Sequence, residues 1–168
     1  MNLKTKNILK ALEAQKQLEE LKKKNNKLPF WILTPTLSQM FLEIGLYDQA
    51  ITQLKQEYAS YPMDFSDDNE WANYYNNLGV YFNTAGQADS AIVNFIKAKK
   101  RVQNILNGKS VSIADQFFDG LIDGNIGQAL KYKKEYASAI PLLKKDIYWS
   151  LQKDNIEHAA RSLNELGE

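Results

Sequence analysis

The feature that most constrains this chain is a pattern of small and large residues that recurs along it. In the middle copy, residues 78–98 read LGVYFNTAGQADSAIVNFIKA. Its Ala91 has counterparts in Ala50 and Ala139, which lie 41 positions before it and 48 positions after it. Each copy has the apolar spacing of two consecutive amphipathic helices. A helix pair that recurs at this period predicts an all-α array of stacked, antiparallel helix pairs.

The order of sizes within the middle copy indicates how the helices pack. Small residues at Gly79 and Ala91 would let two helices approach closely, and Phe82 and Phe95 would fill the space between units. Glycine inside a helix costs about 1 kcal/mol relative to alanine, so a packing gain should offset it. We therefore expect Ala91 to be buried against the partner helix near Gly79.

An amphipathic helix is predicted before the repeats, in an N-terminal segment over residues 1–27. Ala11, Ala14, Leu18 and Leu21 fall at three- and four-residue steps and so share one stripe. We interpret it as a solvated helix that covers the end of the core. A coiled-coil segment is the alternative, although fewer than three clean heptads support it.

Start and stop signals divide the rest of the chain, residues 28–168, into repeat units. The units cover about 31–64, 66–108 and 110–153, with a partial fourth at 154–168. The residues that predict these boundaries are Thr34 before Pro35, Asp67 with Glu70 and Asp154 with Glu157 as N-terminal caps, and Asn107 with Gly108 as a helix stop.

The middle unit fills every place of a signature that reads Trp-x2-Leu-Gly-x2-Tyr and then, after the turn, Ala-x3-Phe-x2-Ala. At two of these places it has another aromatic residue, Tyr75 for Trp and Phe82 for Tyr. The residues that hold those places are Tyr75, Leu78, Gly79, Phe82, Ala91, Phe95 and Ala98. This pattern resembles the tetratricopeptide repeat family, in a long-helix variant. The resemblance implies a right-handed superhelix of antiparallel helix pairs, with about seven or eight helices and no sheet. The other units depart from the signature at two places. Ser38 replaces the glycine in the first unit, and Asp146 replaces the last alanine in the third.

The partial fourth unit carries the first signature places only. Leu163, Leu166 and Gly167 hold them, and the sequence reaches Glu168 before a second helix begins. This helix could be a terminal cap, or the chain could be a piece of a longer protein. We favour the second interpretation, since the Leu-Gly signature is useful only when a partner helix follows.

Composition excludes several function classes. The chain has 168 residues, 21 basic and 20 acidic side chains, and no cysteine. The balanced charge argues against nucleic-acid binding, and the missing cysteines exclude disulfides and thiolate metal sites. No apolar run approaches the roughly 20 residues of a membrane span. The sequence does not determine the cellular compartment. The sequence as written would be cytoplasmic, and it could be periplasmic if it is a piece of a longer protein.

Candidate chemical sites have structural explanations. His158 has no second histidine or cysteine to share a metal with, so we interpret it as an exposed surface residue. The acids Asp64, Asp67 and Asp68 lack the spacing of a calcium loop and suit helix capping. We predict no cofactor and no enzyme activity.

Three glycines in DGLIDGNIG have a structural explanation as well. Gly120, Gly124 and Gly127 lack the Gly-Lys-Ser/Thr ending and the preceding strand of a phosphate loop. Their spacings of four and three residues place them on one helix face, which predicts close helix approach.

In the resembling family, the first helix of each pair lines a concave groove that holds a peptide or a partner's helix. Carried over, that lining is rich in amides and poor in charge, unlike the lysine-rich clamp of chaperone-binding repeats. We expect its amides to be accessible and to bind a peptide main chain. The residues are Gln39 in the first unit, Asn73, Asn76, Val80 and Asn83 in the second, and Gln128 and Lys131 in the third.

The resulting prediction is a protein or peptide interaction module. The units are similar to sensory repeat regions of bacterial histidine kinases and transcription regulators, which implies a sensory or scaffolding part of a larger signalling protein. The alternative is a structural module whose repeats, or whose uncovered end helix, mediate self-association without a peptide ligand.

Overall fold

Seven helices account for most of the part of the chain that the structure describes. The computed structural model describes residues 36–60, 67–108 and 110–167, together with Lys6, Leu9, Lys10, Glu13, Lys16, Gln17 and Glu20. The helices are α1 (Leu37–Glu43), α2 (Tyr47–Ala59), α3 (Asp68–Thr84), α4 (Ala88–Leu106), α5 (Ile113–Tyr132), α6 (Tyr136–Gln152) and α7 (Ile156–Gly167). No strand occurs in these ranges, which confirms the all-α fold class for them.

The chain divides into two compact units, Met1–Met63 and Asp64–Glu168. Within the described ranges, every helix is too short or too polar to cross a lipid bilayer. The few described residues of the predicted N-terminal helix are helical and exposed. Its predicted apolar stripe, Ala11, Ala14, Leu18 and Leu21, lies outside the described residues.

The first unit pairs α1 with α2 through a buried polar contact. Ser38, at the place of the signature glycine, is fully buried and donates its N–H and its hydroxyl to the carboxylate of Glu57, at 3.0 and 2.7 Å. Hydrogen bonds therefore join the two helices at the signature glycine's place. Helix α1 begins after Thr36, whose hydroxyl caps Gln39 N–H, whereas the predicted cap Thr34 lies outside the described residues.

The second unit stacks α3 on α4, α4 on α5, α5 on α6 and α6 on α7. Its core is built mainly of small residues, so these helices lie close together. The buried cluster contains Ala72, Ala91, Phe95, Ala98, Val102, Ile122 and Ala129. Ala91 is fully buried, as predicted, and the contact that Gly79 makes room for is the ring of Phe95.

The three glycines of α5 all face α6. A Cβ atom at Gly120 would meet Trp149, one at Gly124 would meet Asp146, and one at Gly127 would meet Leu143. The prediction of close helix approach is confirmed, because a side chain of α6 occupies the space that a Cβ atom at each glycine would need.

The helix boundaries agree with the predicted signals in two places out of three. Asp67 caps α3 through Asn69 and Glu70 N–H, and α4 ends at Leu106 with Asn107 as its C-cap. The predicted cap at Asp154 is wrong, because Asp154 adopts a left-handed conformation with φ of 56°. Asn155 takes the role instead and accepts the N–H of His158 at 3.1 Å.

Four helix-to-helix turns share one backbone geometry that requires a positive φ. Gly45 and Gly86 hold that position in two turns, with φ of 76° and 75°. Lys134 and Asp154 hold it in the α5–α6 and α6–α7 turns, with φ of 63° and 56°. A side chain with a Cβ is strained there by roughly 1–2 kcal/mol.

Lys134→Gly should therefore stabilise the protein. The expected gain is about 0.5–1 kcal/mol, since relief of the left-handed strain exceeds the entropy that glycine adds to the unfolded chain. Urea unfolding would measure it as a higher midpoint. Gly86→Lys is the mirror variant and should lower the midpoint, so a shift of the same sign in both variants would contradict the explanation.

Ala91→Leu tests the packing inside the α3–α4 pair. Ala91 is fully buried, and a larger side chain there must displace its neighbours. Overpacking of this kind costs about 1–3 kcal/mol. Thermal unfolding would show a lower melting temperature, and an unchanged one would mean that this part of the core is not closely packed.

Candidate functional site

A cavity of about 400 Å³ lies in the second unit, among α3, α5 and α7. Its lining includes Phe95 of α4 and Leu143 of α6. The side chains around it are mostly polar. We call it the amide groove and define its walls by Asn76, Val80, Asn83 and Thr84 of α3, Leu121, Gly124, Asn125 and Gln128 of α5, and His158, Arg161, Ser162 and Glu165 of α7.

Two amide pairs bridge α3 and α5 in this groove. Asn125 Nδ2 donates to Asn76 Oδ1 at 2.9 Å, and Asn83 Nδ2 donates to Gln128 Oε1 at 3.0 Å. Asn76 and Asn83 are only 8% and 7% exposed. The expectation that these two amides are freely accessible is therefore wrong. The helices lie close enough for the amides to pair with each other.

Glu165 of α7 joins the same network. Its Oε1 accepts from Gln128 Nε2 and its Oε2 from Lys131 Nζ, both at 3.0 Å. Burial alone would raise the pKa of Glu165, but the hydrogen bonds from Lys131 and Gln128 and the charge of Lys131 outweigh it and lower this pKa. Gln128 and Lys131 are therefore half-buried members of a network rather than free side chains.

The remaining predicted residues lie in different surroundings. Val80 is half-buried and lines the amide groove. Asn73 is exposed, lies outside the groove lining, and donates to the carbonyl of Asn69 at 2.9 Å. Gln39 is exposed in the first unit and donates to Glu43 at 3.2 Å. A role in peptide binding stays a prediction for all of them.

A buried carboxylate forms part of the groove where α6 meets α7. Asp146 is 1% exposed, and its carboxylate accepts from the Ser162 hydroxyl at 2.5 Å and lies 3.1 Å from His158 Nε2. Gly124 leaves the space that this carboxylate fills. The interpretation of His158 as an exposed residue is wrong, because its ring is half-buried against Asp146 and against Phe117.

These polar groups are arranged for hydrogen bonding. The hydroxyl of Ser162 donates to Asp146 rather than to His158, whereas a nucleophilic serine is typically activated by a neighbouring histidine. Across the described residues, no three histidine or acidic side chains converge on a point that could hold a metal ion. The absence of enzyme activity stays a prediction.

A charged cluster lies between α4, α5 and α6 in the same unit. Lys99 Nζ lies 2.8 and 2.5 Å from the carboxylates of Asp119 and Asp123, and Lys145 Nζ lies 2.7 Å from each of them. Burial would raise the pKa of Asp119, but hydrogen bonds from Lys145 and Lys99 lower it overall. Burial would lower the pKa of Lys145, but its hydrogen bonds to Asp119 and Asp123 raise it well above the usual value.

The sequence interpretation missed Asn125 and Glu165, although a signal was present. Each lies two residues before the signature glycine of its unit, Gly127 or Gly167. The equivalent place was not assigned to the groove in any unit, because only the family's main lining positions were carried over. Adding the position two residues before each signature glycine to the predicted lining would have found both residues.

Comparison with known proteins gives a fold and no family. No protein-family model matches the chain, and no curated protein matches it. The crystal structure of BtubC (BKLC) from P. vanneervenii is similar, with a TM-score of 0.73 and 14% sequence identity. The similar region covers 99% of this chain and 65% of that one. At this identity the similarity shows a shared all-helical fold alone.

Proposed function

We propose that this chain is a tetratricopeptide-like helical repeat module whose amide groove binds an extended peptide of a partner protein. The observation that carries the proposal is the groove itself, in which α3, α5 and α7 present polar side chains to one cavity. In the family that the sequence resembles, the equivalent first helices of the pairs line the ligand groove.

The chemistry of the walls suits a peptide main chain. Asn125 and Gln128 are half-buried, and each keeps hydrogen-bonding capacity beyond its hydrogen bond to α3. An extended main chain offers N–H and C=O groups in alternation, which such amides can match. A cavity of about 400 Å³ also lies within the usual size of a ligand site.

The wider role we propose is sensory or scaffolding, in a larger bacterial signalling protein. The support is the similarity of the repeat units to the sensory regions of histidine kinases and transcription regulators. A kinase or DNA-binding domain in the same open reading frame would support it, and a complete gene without a signalling domain would contradict it.

A blocking substitution in the groove tests the peptide site. Thr84 is exposed at the groove wall, so Thr84→Trp should obstruct the groove without removing a member of the amide network. We expect peptides selected by the parent from a randomised display library to bind Thr84→Trp at least tenfold more weakly. Asn69→Trp, on an exposed position of α3 outside the lining, is the matched control and should bind normally.

Self-association is the second candidate, and exposed apolar residues of α7 favour it. Ile156 and Leu163 lie seven residues apart on one helix face and are 73% and 53% exposed. Sedimentation over a concentration series would show a defined oligomer in the parent and a monomer in Ile156→Lys with Leu163→Lys. A monomer at every concentration in the parent would exclude this candidate.

A further inference from the structure

A relay of hydrogen bonds crosses the amide groove from α7 to α3. Glu165 Oε1 accepts from Gln128 Nε2, and Gln128 Oε1 accepts from Asn83 Nδ2, each at 3.0 Å. The relay starts at an ionised group, because Lys131 Nζ lies 3.0 Å from Glu165 Oε2. It ends at the Asn83 Oδ1 atom, on the α3 wall.

The charge of Glu165 sets the direction of every bond in the relay. An ionised carboxylate accepts hydrogen bonds and donates none, so Gln128 must turn its NH2 group towards Glu165. The carbonyl oxygen of Gln128 then faces α3 and must accept, so Asn83 turns its own NH2 group towards Gln128. Without an acceptor-only group at one end, two neighbouring amides could pair in either direction.

As a consequence, the side-chain oxygen of Asn83 is an acceptor without a donor. Its Oδ1 atom is buried and has no hydrogen-bond partner among the described residues. A buried carbonyl without a donor is unfavourable, and a group that supplies an N–H there recovers the lost interaction. Asn83 lines the amide groove, so a rotation of its side chain turns this buried acceptor towards a ligand seated there, which then supplies the donor.

We infer that Glu165 is a positioning residue that makes the α3 wall of the amide groove select ligands with an N–H donor, such as a main-chain amide of an extended peptide. This inference rests on the proposed function and names the hydrogen-bonding class of its ligand. Glu165 acts through Gln128 and Asn83, without itself pairing with that ligand donor.

Two small amides that differ in one hydrogen-bond donor test the inference. N-methylacetamide carries the N–H of a peptide unit, and N,N-dimethylacetamide lacks it. Each is titrated into the full chain while the side-chain amide signals of Asn83 and Gln128 are followed by NMR. The parent should bind N-methylacetamide about three- to tenfold more tightly, which is the range of a single neutral hydrogen bond.

Variants of α7 separate positioning from general stability. Glu165→Gln can both donate and accept, so the relay can run in either direction and the ratio of the affinities for the two amides should fall towards 1. Glu165→Asp keeps an acceptor-only group and should retain most of the preference. Glu157→Gln makes the same chemical change at an exposed place on α7 and should leave the preference unchanged.

Equal binding of the two amides by the parent would overturn the inference, and so would a full preference in Glu165→Gln. A parent that selects library peptides but does not distinguish the amides would overturn this inference alone. A parent that distinguishes the amides but selects no peptide would support the relay and overturn the proposed function.

Discussion

Phe95→Ala is expected to lower the free energy of unfolding by about 3–5 kcal/mol. The Phe95 ring is fully buried in the core of the second unit and occupies the space that Gly79 leaves open on α3. Truncation would leave a cavity between two helices that approach closely, and the backbone can collapse into it only in part. Denaturant unfolding followed by circular dichroism measures the loss.

A substitution on the same helix provides the control. Val93→Ala removes apolar atoms from an exposed position of α4 and should cost less than about 0.5 kcal/mol. Gly79→Ala should destabilise the parent, since its Cβ atom would overlap the Phe95 ring. In the Phe95→Ala background the same change should be neutral or stabilising, and equal costs in both backgrounds would mean that the two residues are not coupled.

Lys99→Met should cost about 3 kcal/mol, because it removes one cation from a buried charged cluster. Asp119 and Asp123 are both buried, and without Lys99 they would share Lys145, which is more exposed. Thermal and urea unfolding would both show the loss. Lys100→Met changes an exposed neighbour on α4 and should leave stability nearly unchanged.

The same cluster makes stability depend on pH. The pKa of Asp119 is lowered in the folded state, so its contribution is present above about pH 4, the unfolded value, and is lost as pH falls through the lower folded pKa. The pKa of Lys145 is raised, so its contribution is present below about pH 10 and is lost as pH rises through the folded pKa. Lys99→Met should change the acid side of this profile, and an identical acid profile would contradict the assigned ion pairs.

Local patterns were sufficient to predict the helices and much of their packing. Gly79 and Ala91 were predicted to face the partner helix because helical spacing alone decides which face a residue occupies. The turn at Asp154 was placed one residue wrong, since an aspartate can either cap a helix or adopt the left-handed conformation. The tertiary contacts of the α6–α7 turn decide between those two roles.

The polar side chains of the groove were less predictable. Asn76 lines the cavity, but its burial depends on the distance between α3 and α5, which no pattern within one helix contains. Ser38 and Asp146 both replace a small signature residue and both prove to be buried hydrogen-bonding centres. A polar residue at such a place must find partners inside the protein, and this rule could have been applied to the sequence.

The manner in which α7 is attached affects how the protein would respond to denaturant. Its buried residues are Ala159 and Ser162, and its hydrogen bonds to α5 and α6 come from Glu165, His158 and the Ser162 hydroxyl. Detachment of α7 would expose little apolar surface and would return two carboxylates, those of Asp146 and Glu165, to water. Such an opening has a small m-value, so urea would barely promote it, while the core of α3 to α6 stayed folded.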